Sequence, residues 1–434
     1  MDASTRAAYR EELAIVDSRI DALKTQLAPL YANRARIRSA LATHKYDVTT
    51  LPNEVIAEVF THFLAPYPNP PKRGHRSKNS PTRLLGICRR WHDIALRTPQ
   101  LWRSIRCNAS RREDVTVAKS WLERSGTTLI SFVCVLDTGG SPSAPFSREA
   151  ALDAFFSQSG RWEHAVFEIH RVAQILPRLC SVPAALGGAV IDTPHLVQLA
   201  VVPISYGFDD EDLEPFPEIK FVEPVPPLRS LALLAMHCAL PPAAWSQLAS
   251  LNLMDIHLSE LVVSLGHCTN LIWCKLILYG YGDVSALTGV AIRLPRLEVL
   301  SLDTFRAADE LDEDVDCLSL FTTPALRLLE LAVVFFHPVP GRLEPQIRAL
   351  LARSRSGSSS GCPLRRVQLS GNHTIAEPQI AVCRAVFPDV EFHAPDTPES
   401  DVYSDEAWKK DRYWIDSDEW DSEYQRGEGS ESEG

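Results

Sequence analysis

The 434-residue chain has no run that approaches eighteen uninterrupted apolar residues, so no membrane-spanning helix is expected. Its opening, MDASTRAAYREELA, lacks the charged-then-apolar-then-small order of a secretory signal, and a soluble protein of the cytoplasm or nucleus is expected. Ten cysteines are scattered without a C-x-x-C pair, so neither a zinc ribbon nor a dithiol redox motif is spelled. They are expected to be reduced, buried and small-hydrophobe in role. There is no H-E-x-x-H, no Cys/His ligand cluster, no G-x-x-x-x-G-K-[ST] loop and no G-x-G-x-x-G after a strand. With these gone, no metal, no cofactor and no catalytic residue is expected.

Positive charge is also in short supply. The chain has 44 Lys and Arg against 55 Asp and Glu, a net charge of −11. From Asp396 to Gly434 fourteen acidic residues face four basic ones, a balance of −10, which leaves about −1 for everything before it. A nearly neutral body gives no electrostatic case for nucleic acid. The tail interleaves Trp408, Trp414 and Trp420 with Asp and Glu. It is expected to be disordered alone and either able to fold on a partner, with Ser417 and Ser430 open to phosphorylation, or a solvating tail with no specific partner.

What is present begins with periodicity. Leu13, Val16, Ile20, Leu23, Leu27 and Leu30 follow a 3-4-3-4-3 spacing, and after Arg34 the phase resumes at Ile37 and Leu41. This predicts a long amphipathic helix over residues 1–46, either self-dimerising as a coiled coil or lying against its own chain. Pro29 predicts a kink or two helices meeting there. LPNEVIAEVFTHFL predicts a second helix with a broad apolar stripe, and the proline-rich, basic APYPNPPKRGHRSKNSP predicts an exposed loop, Ala65 to Pro81. LLGICRRWHDIALRTPQLW predicts a further helix that buries Leu84, Ile87, Cys88, Trp91, Ile94 and Ala95 on one side, then a new short helix starting at Thr98-Pro99.

The order LPNEVIAEVF, loop, LLGICRRWHDIA, TPQLW, preceded by KYDVTTLP and a heptad arm, resembles the F-box-like domain of fungal F-box proteins. The resemblance covers roughly residues 9–106, and the long loop departs from it. It implies a helical domain, 47–106, whose apolar face is completed by the Skp adaptor of a cullin-RING ubiquitin ligase. By motif position the implied adaptor contacts are Leu51, Pro52, Val55, Ile56, Val59, Phe60, Leu84, Ile87, Trp91 and Trp102. Sequence does not separate those facing the adaptor from those facing the core.

Beyond residue 107 the pattern apolar-x-x-apolar-x-apolar recurs ten times, from Leu129, Trp162, Leu196, Leu228, Leu248, Leu271, Leu297, Leu326, Leu364 and Phe387, at intervals of 20 to 38 residues. Ten short strands are predicted, stacked as an irregular leucine-rich-repeat solenoid with a parallel sheet over 107–395. The serine-rich stretch Ser354 to Gly361 is read as a flexible loop and 396–434 as the disordered tail. The fifth position of each unit should line the concave face: Val133, Val166, Ala200, Ala232, Asn252, Lys275, Ser301, Glu330, Gln368 and Glu391. The first four are apolar and want a cover, while Asn252, Trp273, Lys275, Glu330 and Gln368 are candidates for binding a protein substrate. The expected class is thus α plus α/β, and the expected role a non-catalytic substrate receptor of an SCF-type ligase. A repeat-based interaction scaffold with no ubiquitin role is the alternative.

Overall fold

The computed structural model describes residues 3–43, 50–71, 74–136, 144–169, 192–203, 218–221, 225–280, 282–283, 287, 289–304, 317–332, 335, 343–355, 364–370 and 373–393. The acidic tail with Trp408, Trp414, Trp420, Ser417 and Ser430, and residues Ser356 to Gly361 of the serine-rich stretch, lie outside them. Contacts divide the chain into two units, Met1–Ile56 and Ala57–Gly434. No helix among the described residues is long and apolar enough to cross a membrane.

In the first unit, α1 runs unbroken from Ala3 to Thr43 with Pro29 inside it. Two helices do not meet at Pro29. Proline removes one amide donor and crowds one carbonyl, which costs roughly 3 kcal/mol or more in a helix interior, and forty other helical residues carry the element through. The apolar seam is exposed rather than buried: Leu13, Val16, Ile20, Leu23, Leu27, Leu30 and Ile37 retain 42–63 % of their accessible surface.

Helix α2, Asn53–Phe63, splits its broad apolar stripe in two. Ile56 and Phe60, one turn apart, are each 1 % exposed, while Val55, Val59 and Phe63 remain exposed. The arginine-rich stretch is not one helix. A 3-10 turn over Pro81–Gly86 precedes α3, Arg89–Leu96. Gly86 is a poor helix former, and Ile87 and Cys88 at the break are exposed, which corrects the core role expected of both. Thr98 does precede a short 3-10 turn, Pro99–Trp102, but its side chain does not cap it. The hydroxyl donates back to the Ile94 carbonyl at 2.7 Å.

Next comes one open, all-parallel sheet of eleven strands whose spatial order is the chain order. These are β1 Ser104–Asn108, β2 Ile130–Leu136, β3 Trp162–Ile169, β4 Gln198–Pro203, β5 Ser230–Leu234, β6 Ser250–His257, β7 Trp273–Gly280, β8 Val299–Thr304, β9 Leu328–Ala332, β10 Arg366–Ser370 and β11 Glu391–His393. All ten predicted strands are present, and β1 is an addition. The fourth and sixth residues of the predicted units, such as Phe132 and Cys134 or Leu251 and Leu253, are buried on the side that meets the helices. Phe132 of β2 stacks on Phe155 at 4.4 Å and meets Trp162 and Phe167 edge-on. Such pairs add about 0.5–1.5 kcal/mol each to simple burial.

The expected solenoid is not what these strands build. Among the described residues the helices between strands follow no common plan: α4 Arg112–Arg124, α5 Ala144–Phe156, α6 Pro242–Trp245, α7 Leu258–Gly266, α8 Leu343–Arg355 and α9 His373–Val386 range from four to fourteen residues. The L-x-x-L-x-L spacing specifies a strand with one face buried under a helix layer. It says nothing about the return path, and without a repeated return there is no repeated coil. Ser354, expected in a loop, lies in the last turn of α8, where its buried hydroxyl accepts the Thr323 amide at 3.2 Å.

Candidate functional site

Two surfaces carry the residues singled out by sequence. The first is helical. Phe60 of α2 meets Trp91 of α3 edge-on at 4.9 Å, and this contact joins the two helices. Of the ten implied adaptor contacts, Ile56, Phe60, Leu84 and Trp102 are buried, at 3 % exposure or less. Leu51 and Trp91 are half-buried, and Pro52, Val55, Val59 and Ile87 are exposed. Phe63, part of the predicted apolar stripe but not of the implied adaptor contacts, joins the exposed set at 37 %.

Trp102 is a joint. Its indole N–H donates to the Ala95 carbonyl at 2.9 Å, its ring meets Trp121 of α4 edge-on at 5.7 Å, and the Arg124 guanidinium lies 4.6 Å over it. It therefore ties α3 to the first helix of the sheet region, and no face of it is left for a partner.

The proline-rich loop is the second departure. Expected to be exposed, it buries Pro70, Pro71, Gly74, Ser80 and Pro81. It straps the start of the sheet. The Pro68 carbonyl accepts from the hydroxyls of Ser104 at 2.9 Å and Ser131 at 2.6 Å, and the Tyr67 hydroxyl donates to Glu163. Burial, with Glu163 adding to it, pushes the Tyr67 phenol well above its ordinary range. Arg103 stacks on the Tyr67 ring, whose edge contacts His164. A proline-rich segment has few amide donors to satisfy, so it can lie on a polar sheet face at low cost.

On the sheet, nine of the ten predicted fifth positions align in one row. Val133, Val166, Ala200, Ala232, Asn252, Lys275, Ser301, Glu330 and Gln368 are each paired with the next. The row begins earlier, at Arg106, and ends at His393 rather than Glu391, which pairs with Arg366 two residues back. The face is unchanged, because strand side chains alternate with a period of two.

The apolar stretch is buried, Val133 and Ala232 wholly so. Arg106 reaches over β2 to make a two-pronged pair with Glu168 at 3.1 and 3.3 Å. Asn252 is buried, with its carbonyl oxygen lacking a hydrogen-bond partner. Trp273, Lys275, Glu330 and Gln368 are half-buried and accessible. Asp303 stands near Lys275: burial raises its pKa, and the Thr304 amide and Lys275 pull it back.

Sequence reasoning missed a second row on this face. Ser104, Ser131, His164, Gln198, Ser230 and Ser250 are register partners across six strands. The strap satisfies the first two. The next three do not satisfy themselves: His164 Nδ1, both amide atoms of Gln198 and Ser230 Oγ are buried without a hydrogen-bond partner. The signal was the third position of each strand unit, polar in the first five repeats and then Trp273, Val299 and Leu328. Such a row is completed by water or by polar groups of a bound molecule.

Burial pushes the Cys107, Cys134 and Cys274 thiols far up, and Cys268 and Cys383 up to about 12, so these are inert as nucleophiles. No group of three or more His, Cys, Asp or Glu among the described residues could hold a metal ion. A cavity of about 320 Å³ under β6 is lined by Met236, Trp245, Leu253 and Leu261, with His237 and Glu260 paired at 3.0 Å at its edge.

No family model, curated protein or solved structure matches the chain.

Proposed function

We propose that the chain is a non-catalytic substrate-recognition subunit of an SCF-type cullin-RING E3 ubiquitin ligase. In this reading the helical segment docks on a Skp-type adaptor, and through it on cullin, while the sheet face binds a protein substrate. The observation that carries it is the divided stripe of α2. A helix that buries Ile56 and Phe60 leaves Val59 at 52 % and Phe63 at 37 %, and Ile87, just before α3, is 56 % exposed. Large apolar side chains left out by a short helical segment that already has a core suit a protein partner. The adaptor contacts are then drawn from Leu51, Pro52, Val55, Val59, Ile87 and Trp91, with Phe63 added, while Phe60 holds Trp91 in place.

For the substrate, the accessible part of the sheet face offers Trp273, Lys275, Glu330 and Gln368, an aromatic anchor beside groups of both charges. This mixture suits a folded or extended polypeptide better than a polyanion.

The test is complex formation between the purified chain and a Skp-type adaptor, followed by size-exclusion chromatography with light scattering. A one-to-one complex is expected. Val59→Asp with Ile87→Asp should abolish it while leaving the circular dichroism unchanged, because both side chains already face solvent. No complex with the wild-type chain, or equal binding by the double variant, would defeat the proposal and leave an interaction scaffold without a ubiquitin role.

A further inference from the structure

Helix α1 has an exposed heptad seam, and its flanking charges select what can cover it. Placing Leu13, Ile20, Leu27 and Arg34 at position a, and Val16, Leu23, Leu30 and Ile37 at position d, puts Asp17, Lys24, Tyr31 and Arg38 at e. Glu12, Arg19, Gln26 and Asn33 then fall at g.

In a parallel two-stranded coil each a residue faces its own copy, and each g residue meets the e residue of the next heptad. That arrangement stacks Arg34 on Arg34, sets Glu12 against Asp17 and sets Arg19 against Lys24. All three contacts are like-charged.

In an antiparallel pair a faces d, e faces e and g faces g. Registers that put Asp17 opposite Lys24 of the partner subunit, or opposite Arg38 of the partner subunit, contain no like-charged e or g pair. In them Arg34 meets Tyr9 of the partner subunit or Leu23 of the partner subunit rather than another arginine. Pro29, at position c, points away from the seam and does not obstruct it.

We propose that α1 is the interface of an antiparallel homodimer. The seam is sustained over about four heptads, the length at which a two-stranded coil becomes stable. Two-fold symmetry makes every favourable pair occur twice. The arms of the two copies run in opposite directions, so whatever follows each arm is delivered at opposite ends of the coil.

The test uses the full chain, with light scattering across a micromolar concentration series. A dimer is expected, and Ile20→Asp with Leu27→Asp should give a monomer. A monomeric wild type, or a dimer that survives the double substitution, would overturn the proposal. Orientation is read from the sign of a surface change. Asp17→Arg should weaken association by about tenfold, because two symmetric attractions become repulsions. In a parallel dimer the same change would tighten association, since Arg would meet Glu12, and tightening would overturn the antiparallel assignment. Adding Lys24→Asp or Arg38→Asp should restore the dimer, and the one that restores it identifies the register. Restoration by neither would overturn the pairing.

Discussion

Replacing Trp102 tests whether the residue is a joint or a docking contact. The side chain has no exposed surface, and it holds three partners: the Ala95 carbonyl at 2.9 Å, the Trp121 ring at 5.7 Å and the Arg124 guanidinium at 4.6 Å. Trp102→Ala removes all three and leaves a large cavity between α3 and α4, a loss of about 3–5 kcal/mol. Trp102→Phe keeps an aromatic ring against Trp121 but deletes the indole donor, and should cost about 1–2 kcal/mol. Against a total stability of roughly 5–15 kcal/mol, the first change is severe and the second tolerable. Guanidinium unfolding followed by circular dichroism measures both, and the midpoint should fall in the order wild type, Phe, Ala. The Phe variant should still bind the adaptor as the wild type does. A Trp102→Ala loss below about 1 kcal/mol would refute the reasoning, because no fully buried, hydrogen-bonded indole is that dispensable. Loss of adaptor binding by a stably folded Trp102→Phe would refute the assignment as a joint.

The Arg106–Glu168 pair, with side chains 16 % and 12 % exposed, predicts an asymmetry. Glu168→Gln should cost about 3 kcal/mol by leaving a guanidinium poorly compensated, while Arg106→Met with Glu168→Leu should cost much less; equal losses in urea unfolding would contradict this. His164 predicts acid sensitivity. Its pKa is lowered from 6.5, chiefly by burial and in part offset by Glu163, so the ring is neutral in the fold while the unfolded chain takes up the proton first. Its contribution is fully present above about pH 6.5 and is lost as pH falls below it, with a slope approaching about 1.4 kcal/mol per pH unit until the folded ring also protonates. His164→Gln should flatten that part of the stability–pH curve, and an unchanged slope would mean that His164 protonates freely in the fold.

Much of the sheet was legible. The unit L-x-x-L-x-L marks a strand whose first, fourth and sixth residues enter a core, and from that the alignment of nine residues from Val133 to Gln368 followed without any contact being known. β1 escaped because SIRCN has a single aliphatic residue, Ile105, although all five of its residues pair with β2. The helical site was half legible. Spacing identified an apolar stripe on α2, but two residues one position apart, Val59 and Phe60, differ by only a third of a turn, and periodicity does not say which of them meets Trp91.

The sequence by itself determined the heptad seam of α1, the strand register from Val133 to Gln368, and the separation of a nearly neutral body from an acidic tail. These are local properties, set by side-chain periods of 3.5 and 2 and by composition. Only the tertiary structure decided that a proline-rich loop straps the sheet through Tyr67 and Pro68, that the strands form an open sheet instead of a coil of repeats, and that Trp102 belongs to the core while Ile87 does not. Each of these depends on partners distant in the chain: Pro68 on Ser104 and Ser131, Tyr67 on Glu163, Trp102 on Trp121. A spacing rule describes one element at a time, and burial is a property of two.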